Sequence, residues 1–101
     1  MEFKAESKQL LKALSTVNGA VERRNTIPVL QNIKIVAKDG KLSLFATDMD
    51  IMINSVINCD IIAEGETTIP AQMFFDIIRK IPDNQSIIAK QESDSILNIK
   101  Y

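Results

Sequence analysis

The stretch NIKIVAKDGKLSLFA, residues 32 to 46, decides the fold class of this chain. Apolar and polar residues alternate on both sides of Asp39-Gly40, a dipeptide that strongly favours a tight β-hairpin turn between such runs. Ile33 and Ile35 therefore share one face of the first arm, and the two leucines of the second arm share one face in the same way. The sequence predicts antiparallel strands with one face buried.

Further strands surround this hairpin. EFKA (2–5) predicts a short first strand, and IMINSVINCDIIA (51–63) predicts a strand long enough to need a bend or bulge. EGE (64–66) is interpreted as a turn, and SIIAK and SILNIKY (86–90 and 95–101) as a second hairpin. Because the alternation continues to the last residue, we expect a longer chain whose next strands would pair with an open edge.

Two helices are predicted from apolar residues spaced three and four apart. The first follows a potential cap at Ser7 and ends near Gly19. Its apolar stripe consists of Leu10, Leu11, Leu14, Val17 and Val21. The second is predicted within TTIPAQMFFDIIRKIPDN (67–84), with Pro70 in its first turn and Pro82 as its stop.

The second helix carries more apolar surface than docking on a sheet requires. A core stripe is formed by Ala71, Phe74, Phe75 and Ile78. The apolar arc is extended beyond half of the helix by Met73, Ile77 and Ile81. Met73 and Ile77 either fill a wide groove in their own domain or face a second protein surface.

Composition limits the function classes. The 101 residues suit one domain, and the formal net charge of -1 gives no overall attraction to nucleic acid. No apolar run is long enough for a signal peptide or a membrane span, so a cytoplasmic type of protein with no membrane role is expected. Cys59 is the single cysteine and is expected to be a buried strand residue.

The residue inventory disfavours an enzyme. The chain has no histidine, which removes most acid-base and nucleophilic catalytic arrangements. Asp48 and Asp50 are the one paired-carboxylate candidate: they could share a Mg²⁺ in a small phosphate-processing enzyme, or form a turn by bonding to local backbone. The turn is the favoured interpretation.

The remaining chemical signal is cationic. Three pairs of basic residues stand out: Lys8 and Lys12, Arg23 and Arg24, and Arg79 and Lys80. Each could be an ordinary solvated surface charge. If both helices lie on the same side of the sheet, their polar faces would instead form a basic strip able to hold a phosphate backbone without reading bases.

Four ordered motifs resemble a known family, the bacterial DNA polymerase III beta sliding clamps, in their N-terminal domain. The motifs are LLKAL (10–14), R-x-T-x-P-x-L-x-N (24–32), DGKLSLFATDMDI (39–51) and TTIPAQMFFDIIRKIP (67–82). No single motif is specific for this family, but the order and spacing of all four over nearly the whole chain are specific for it.

The resemblance implies an α+β DNA-clamp fold, with two helices packed on one face of a curved, mainly antiparallel sheet. Residues 1–101 would be the N-terminal domain, incomplete at its C-terminal end, of a three-domain subunit. Two subunits would form a head-to-tail homodimeric ring around double-stranded DNA, independent of its sequence. The ring would tether DNA polymerase III, with the clamp loader as a second partner, no cofactor and no catalysis of its own. A stand-alone protein-interaction module without a DNA role is the alternative.

The resemblance also assigns roles to residues. Arg24 matches the loop arginine that reaches the duplex, and Arg79 and Lys12 match helix positions that face the hole. Lys8, Arg23 and Lys80 are the adjoining DNA-binding candidates.

Met73 and Ile77 fall where the family's first domain meets the third domain of the partner subunit. The family often carries basic residues at the start of this helix, where the chain has Gln72 and Met73. That difference weakens the expectation of DNA contact there.

Overall fold

A computed structural model describes residues 1–18, 32–47, 52–93 and 96–101. In chain order the elements are β1 (Glu2–Glu6), α1 (Ser7–Asn18), β2 (Asn32–Lys38), β3 (Lys41–Thr47), β4 (Met52–Asn58), β5 (Asp60–Ala63), β6 (Gly65–Pro70), α2 (Ala71–Arg79), β7 (Ser86–Ser93) and β8 (Ile96–Lys100). All described strand pairs are antiparallel, as the sequence predicted.

The strands form two sheets where a single curved sheet was expected. One sheet has the order β5-β1-β7-β8 and the other β4-β3-β2-β6. The predicted bend in the long strand is the reason, because the chain leaves β4 at Asn58, passes Cys59 and enters β5 in the other sheet. A run of residues with one alternating pattern thus supplies an edge strand to each sheet.

The hairpin at Asp39-Gly40 is confirmed. Both residues have positive φ, 55° and 72°, as a type I′ turn requires. Lys38 then pairs with Lys41, and the register continues so that the buried apolar residues of both arms share one face.

The predicted start of the second helix was wrong. α2 begins at Ala71, and residues 65–70 form β6, which pairs with β2. Pro70 is extended, with φ -62° and ψ 121°, and it ends the strand directly before the first helical residue. The predicted turn at 64–66 therefore shrinks to Glu64 between β5 and β6. Ile69 faces Ile33 across the sheet, a long-range pairing that local spacing does not reveal.

The two halves of the chain begin with the same order of elements, strand, helix, strand and strand. The first half runs β1-α1-β2-β3-β4-β5, and the second runs β6-α2-β7-β8. β1 of the first half pairs with β7 of the second, and β6 of the second pairs with β2 of the first. Each half therefore lends its first strand to the sheet of the other, so neither sheet can be completed by one half alone.

Both helices close the same core. The buried face of α1 contributes Leu10, Leu14 and Val17, and that of α2 contributes Phe74 and Ile78. They meet the inward residues Phe3, Ile33, Ile35, Leu42, Leu44 and Ile87 of the two sheets. Burial of each large side chain favours folding by about 1.5–3 kcal/mol. Because the helices also contact each other, their remaining faces point together away from the sheets.

Candidate nucleic-acid interface

The two helices together present one outward surface, called here the helix face. On α1 this face carries two exposed cations, Lys8 and Lys12, one helical turn apart. The helix sequence SKQLLKALSTVN contains no acidic residue. Among the described residues, no carboxylate forms an ion pair with either lysine of this face.

A buried serine fixes the relative position of the helices. The Ser7 hydroxyl donates a hydrogen bond to the Pro82 carbonyl at 3.1 Å, and the Ser7 backbone N–H donates to the Gln85 carbonyl at 2.9 Å. The predicted capping residue thus ties the N-terminus of α1 to the segment that follows α2. Lys8 consequently lies at the same end of the helix pair as Arg79 and the residues after it.

The α2 part of the surface is partly neutralised. Arg79 is half-exposed, and its guanidinium lies 3.2 Å from the Asp76 carboxylate. The Gln72 amide donates to the same carboxylate at 3.1 Å. The guanidinium also lies over the Phe75 ring, 5.8 Å from its centroid. Lys80 follows the helix and is exposed, with its backbone N–H donating to the Ile77 carbonyl.

The other polar candidates belong to segments outside the described residues. Arg23 and Arg24, in the segment between α1 and β2, lie outside the described residues. Asp48 and Asp50 also lie outside them. In the described part of the chain there is no group of three acidic, cysteine or histidine side chains that could hold a metal ion.

An apolar groove lies beside α2. Met73 is 61% exposed and Ile77 is 42% exposed, whereas Ile81, the third residue of the extended arc, is buried in the core. The groove is open to solvent and has a volume of about 320 Å³. Besides Met73 and Ile77, its apolar lining includes Ile69, Ile96, Leu97 and Ile99. Two residues of the surplus arc thus remain uncovered in the described chain.

The groove opens between two sheet edges. Among the described strands, β8 pairs with β7 alone and β6 pairs with β2 alone, so each presents an unpaired side. The Gln91 amide reaches the Thr67 hydroxyl at 3.4 Å and connects the two sheets at this point. An apolar groove bordered by open strand edges suits contact with another sheet-containing surface.

Cys59 behaves as a structural residue. It lies between β4 and β5, outside both strands, and is only partly buried against the core, so the prediction of a buried strand residue was wrong. Burial, and next the charge of Asp60, raise the pKa of its thiol. The thiol form therefore dominates at neutral pH, which disfavours nucleophilic chemistry.

Sequence reasoning missed two features of this surface. The pairing of Asp76 with Arg79 has i,i+3 spacing and that with Gln72 has i,i+4 spacing, so helix geometry could have revealed both. The hydrogen bond from Ser7 to Pro82 spans 75 residues and has no local signal.

Two helices side by side on two sheets, with each half of the chain lending a strand to the other, define a DNA-clamp domain. The model of the DNA polymerase III beta subunit N-terminal domain matches residues 1–100, and the chain belongs to that family. No helix in the described residues is both long and apolar enough to cross a membrane.

Known relatives agree with this assignment. The chain is 42% identical over 87 residues to the beta sliding clamp of Caulobacter vibrioides, covering 86% of this chain and 23% of the relative. It is 38% identical over 98 residues to that of Escherichia coli K12, covering 96% and 27%. The solved Caulobacter crescentus pol III beta superimposes with a TM-score of 0.93 at 40% identity, covering 99% of this chain and 27% of that one. The chain spans about a quarter of the length of these relatives.

Proposed function

We propose that this chain is the N-terminal domain of a replicative processivity clamp. In this proposal, three domains form each subunit and two subunits close head to tail around duplex DNA in the bacterial cytoplasm. The ring slides along DNA and tethers DNA polymerase III after placement by a clamp loader. It is a non-catalytic accessory subunit of a nucleotidyltransferase holoenzyme.

The observation that carries the proposal is the shared outward direction of the two helix faces. Lys8, Lys12, Arg79 and Lys80 lie on or directly after helices that contact each other, and Asp76 is the one acidic residue of the two helices. A phosphate backbone passing over this surface would meet positive charge without any base-reading element. Arg23 and Arg24, which lie outside the described residues, are proposed to add to this charge.

The groove supports the proposed ring contact. Met73 and Ile77 present apolar surface that their own domain does not cover, next to the unpaired edge of β8. A partner subunit could bury both side chains and pair with that edge. A stand-alone protein-interaction module would also use the exposed groove and is the second candidate function, but the family match favours the clamp.

Comparing the retention of the protein on circular and on linear DNA distinguishes these two candidate functions. The full-length protein should stay on nicked circular DNA after loading and leave when the circle is cut, because a ring departs through a free end. A binding module held by affinity alone would show equal retention on circular and linear DNA. Equal retention, or no retention on either, would refute the clamp proposal.

A further inference from the structure

The polar face of α2 contains a carboxylate, that of Asp76, which contacts Arg79, the DNA-binding candidate on the same helix. Asp76 accepts a hydrogen bond from Gln72 at 3.1 Å and lies 3.2 Å from the Arg79 guanidinium. We propose that Asp76 is a positioning residue that competes with DNA phosphate for Arg79 and keeps this contact weak and exchangeable. The inference rests on the proposed function, since it assigns a tuning element to the proposed DNA-binding face.

The competition follows from the chemistry of the guanidinium. Its planar fork of donors binds carboxylate and phosphate oxygens in the same way, so the two anions compete for one site on Arg79. Gln72 holds the carboxylate from one side, and the Phe75 ring lies beneath the guanidinium at 5.8 Å. A phosphate must displace a carboxylate that is already in place, and it also meets that carboxylate's negative charge.

The free-energy cost of replacing the Asp76 carboxylate by a phosphate on Arg79 is expected to be small. The Arg79 side chain is 58% exposed and that of Asp76 39% exposed, so solvent screens their attraction. An exposed pair of this kind changes an equilibrium by about fivefold or less. The carboxylate can therefore weaken the phosphate contact without abolishing it, and the contact can break and re-form as a duplex moves past.

The two helices consequently have different roles. α1 presents Lys8 and Lys12 with no acidic residue in its sequence, so its attraction to phosphate is constant. In α2, the contact with Asp76 weakens the attraction of the exposed Arg79 for phosphate. Lys8 and Lys12 therefore provide a steady positive charge, and Arg79, which is paired with Asp76, provides a phosphate contact that forms and breaks.

The test is Asp76→Asn in the full-length protein, with binding to a short linear duplex measured by fluorescence anisotropy at several salt concentrations. Asparagine keeps the shape and the acceptor for Gln72 but removes the charge. We expect about two- to fivefold tighter binding at low salt. One additional phosphate contact should also make the slope of log K against log salt more negative by about 0.9.

The matched control is Glu66→Gln. Glu66 pairs with Lys34 at 3.6 Å on the sheet face turned away from the helices, and its neutralisation changes the net charge equally. Binding and slope should stay at the wild-type values in this variant. Thermal denaturation checks that each variant folds, and Asp76→Ser gives a second neutral side chain if asparagine disturbs the helix.

The double variant Asp76→Asn/Arg79→Gln decides the mechanism. If Asp76 acts through Arg79, removal of Arg79 abolishes the gain. A gain that persists would mean that Asp76 repels DNA directly, and the competition would be refuted. No gain in Asp76→Asn, with binding still weakened by Lys8→Gln/Lys12→Gln, would refute the competition and leave the proposed function standing. Absence of salt-dependent duplex binding in the wild type would overturn both.

Discussion

Neutralising the two lysines of α1 should change the salt dependence of DNA binding by a calculable amount. Lys8 and Lys12 are exposed, one turn apart, and unpaired with any described residue. If each contacts one phosphate, the double variant Lys8→Gln/Lys12→Gln lowers the magnitude of the log–log slope by about 1.8. Between 50 and 200 mM salt, the wild type should then lose about twelvefold more affinity than the variant.

The assay is anisotropy with a fluorescent duplex and the full-length protein across this salt range. Lys38→Gln/Lys41→Gln is the matched control, because these lysines face each other across the β2-β3 hairpin on the outward side of the sheet. The control removes the same charge and should retain the wild-type slope. Equal slope changes in both double variants would show that net charge alone matters, and would refute the assignment of the helix face as the DNA-binding surface.

Three further predictions concern other parts of the molecule. Arg24→Ala should weaken duplex binding and lower the slope magnitude by about 0.9, with a larger effect than Arg23→Ala in the same anisotropy assay. Ile77→Gln should weaken dimerisation measured by analytical ultracentrifugation, whereas Ile62→Gln, which changes an exposed isoleucine of β5, should not; equal effects would remove the groove from the interface. Ser7→Ala should lower the free energy of unfolding by about 1 kcal/mol in urea titrations, because the Pro82 carbonyl loses its buried donor; an unchanged midpoint would contradict this.

Local signals in the sequence predicted the features that depend on neighbouring residues. The hairpin follows from Asp39-Gly40 because these two residues adopt the positive φ values of the turn themselves. The start of α1 at Ser7 and a bend somewhere within residues 51–63 were also predicted within their own segments, but not the position of that bend at Cys59. β6 was missed because its evidence is its pairing with β2, whose partner residues lie 28 to 38 positions earlier in the chain.

The residues of the candidate site also fall into those predictable from local spacing and those that depend on tertiary packing. The spacing within α1 predicted that Lys8 and Lys12 share an exposed face, and the surplus apolar arc predicted that Met73 and Ile77 would stand apart from an ordinary core stripe. The burial of Ile81 depends on the tertiary course of the chain after α2, so the helical wheel could not separate it from them. The division between core and surface is a property of the packed domain.

The charge distribution explains how a chain of net charge -1 can suit a DNA-binding role. The helix pair has a formal charge of +3, because four basic side chains (Lys8, Lys12, Arg79 and Lys80) outnumber the one acidic side chain, Asp76. The rest of the chain therefore carries -4. At physiological salt these fields decay over about 8 Å, so a duplex senses mainly the face nearest to it. In the proposed ring, the helix face attracts the duplex while the near-zero total limits binding elsewhere. Enclosure then provides retention, and the phosphate contacts can remain weak enough to exchange during sliding.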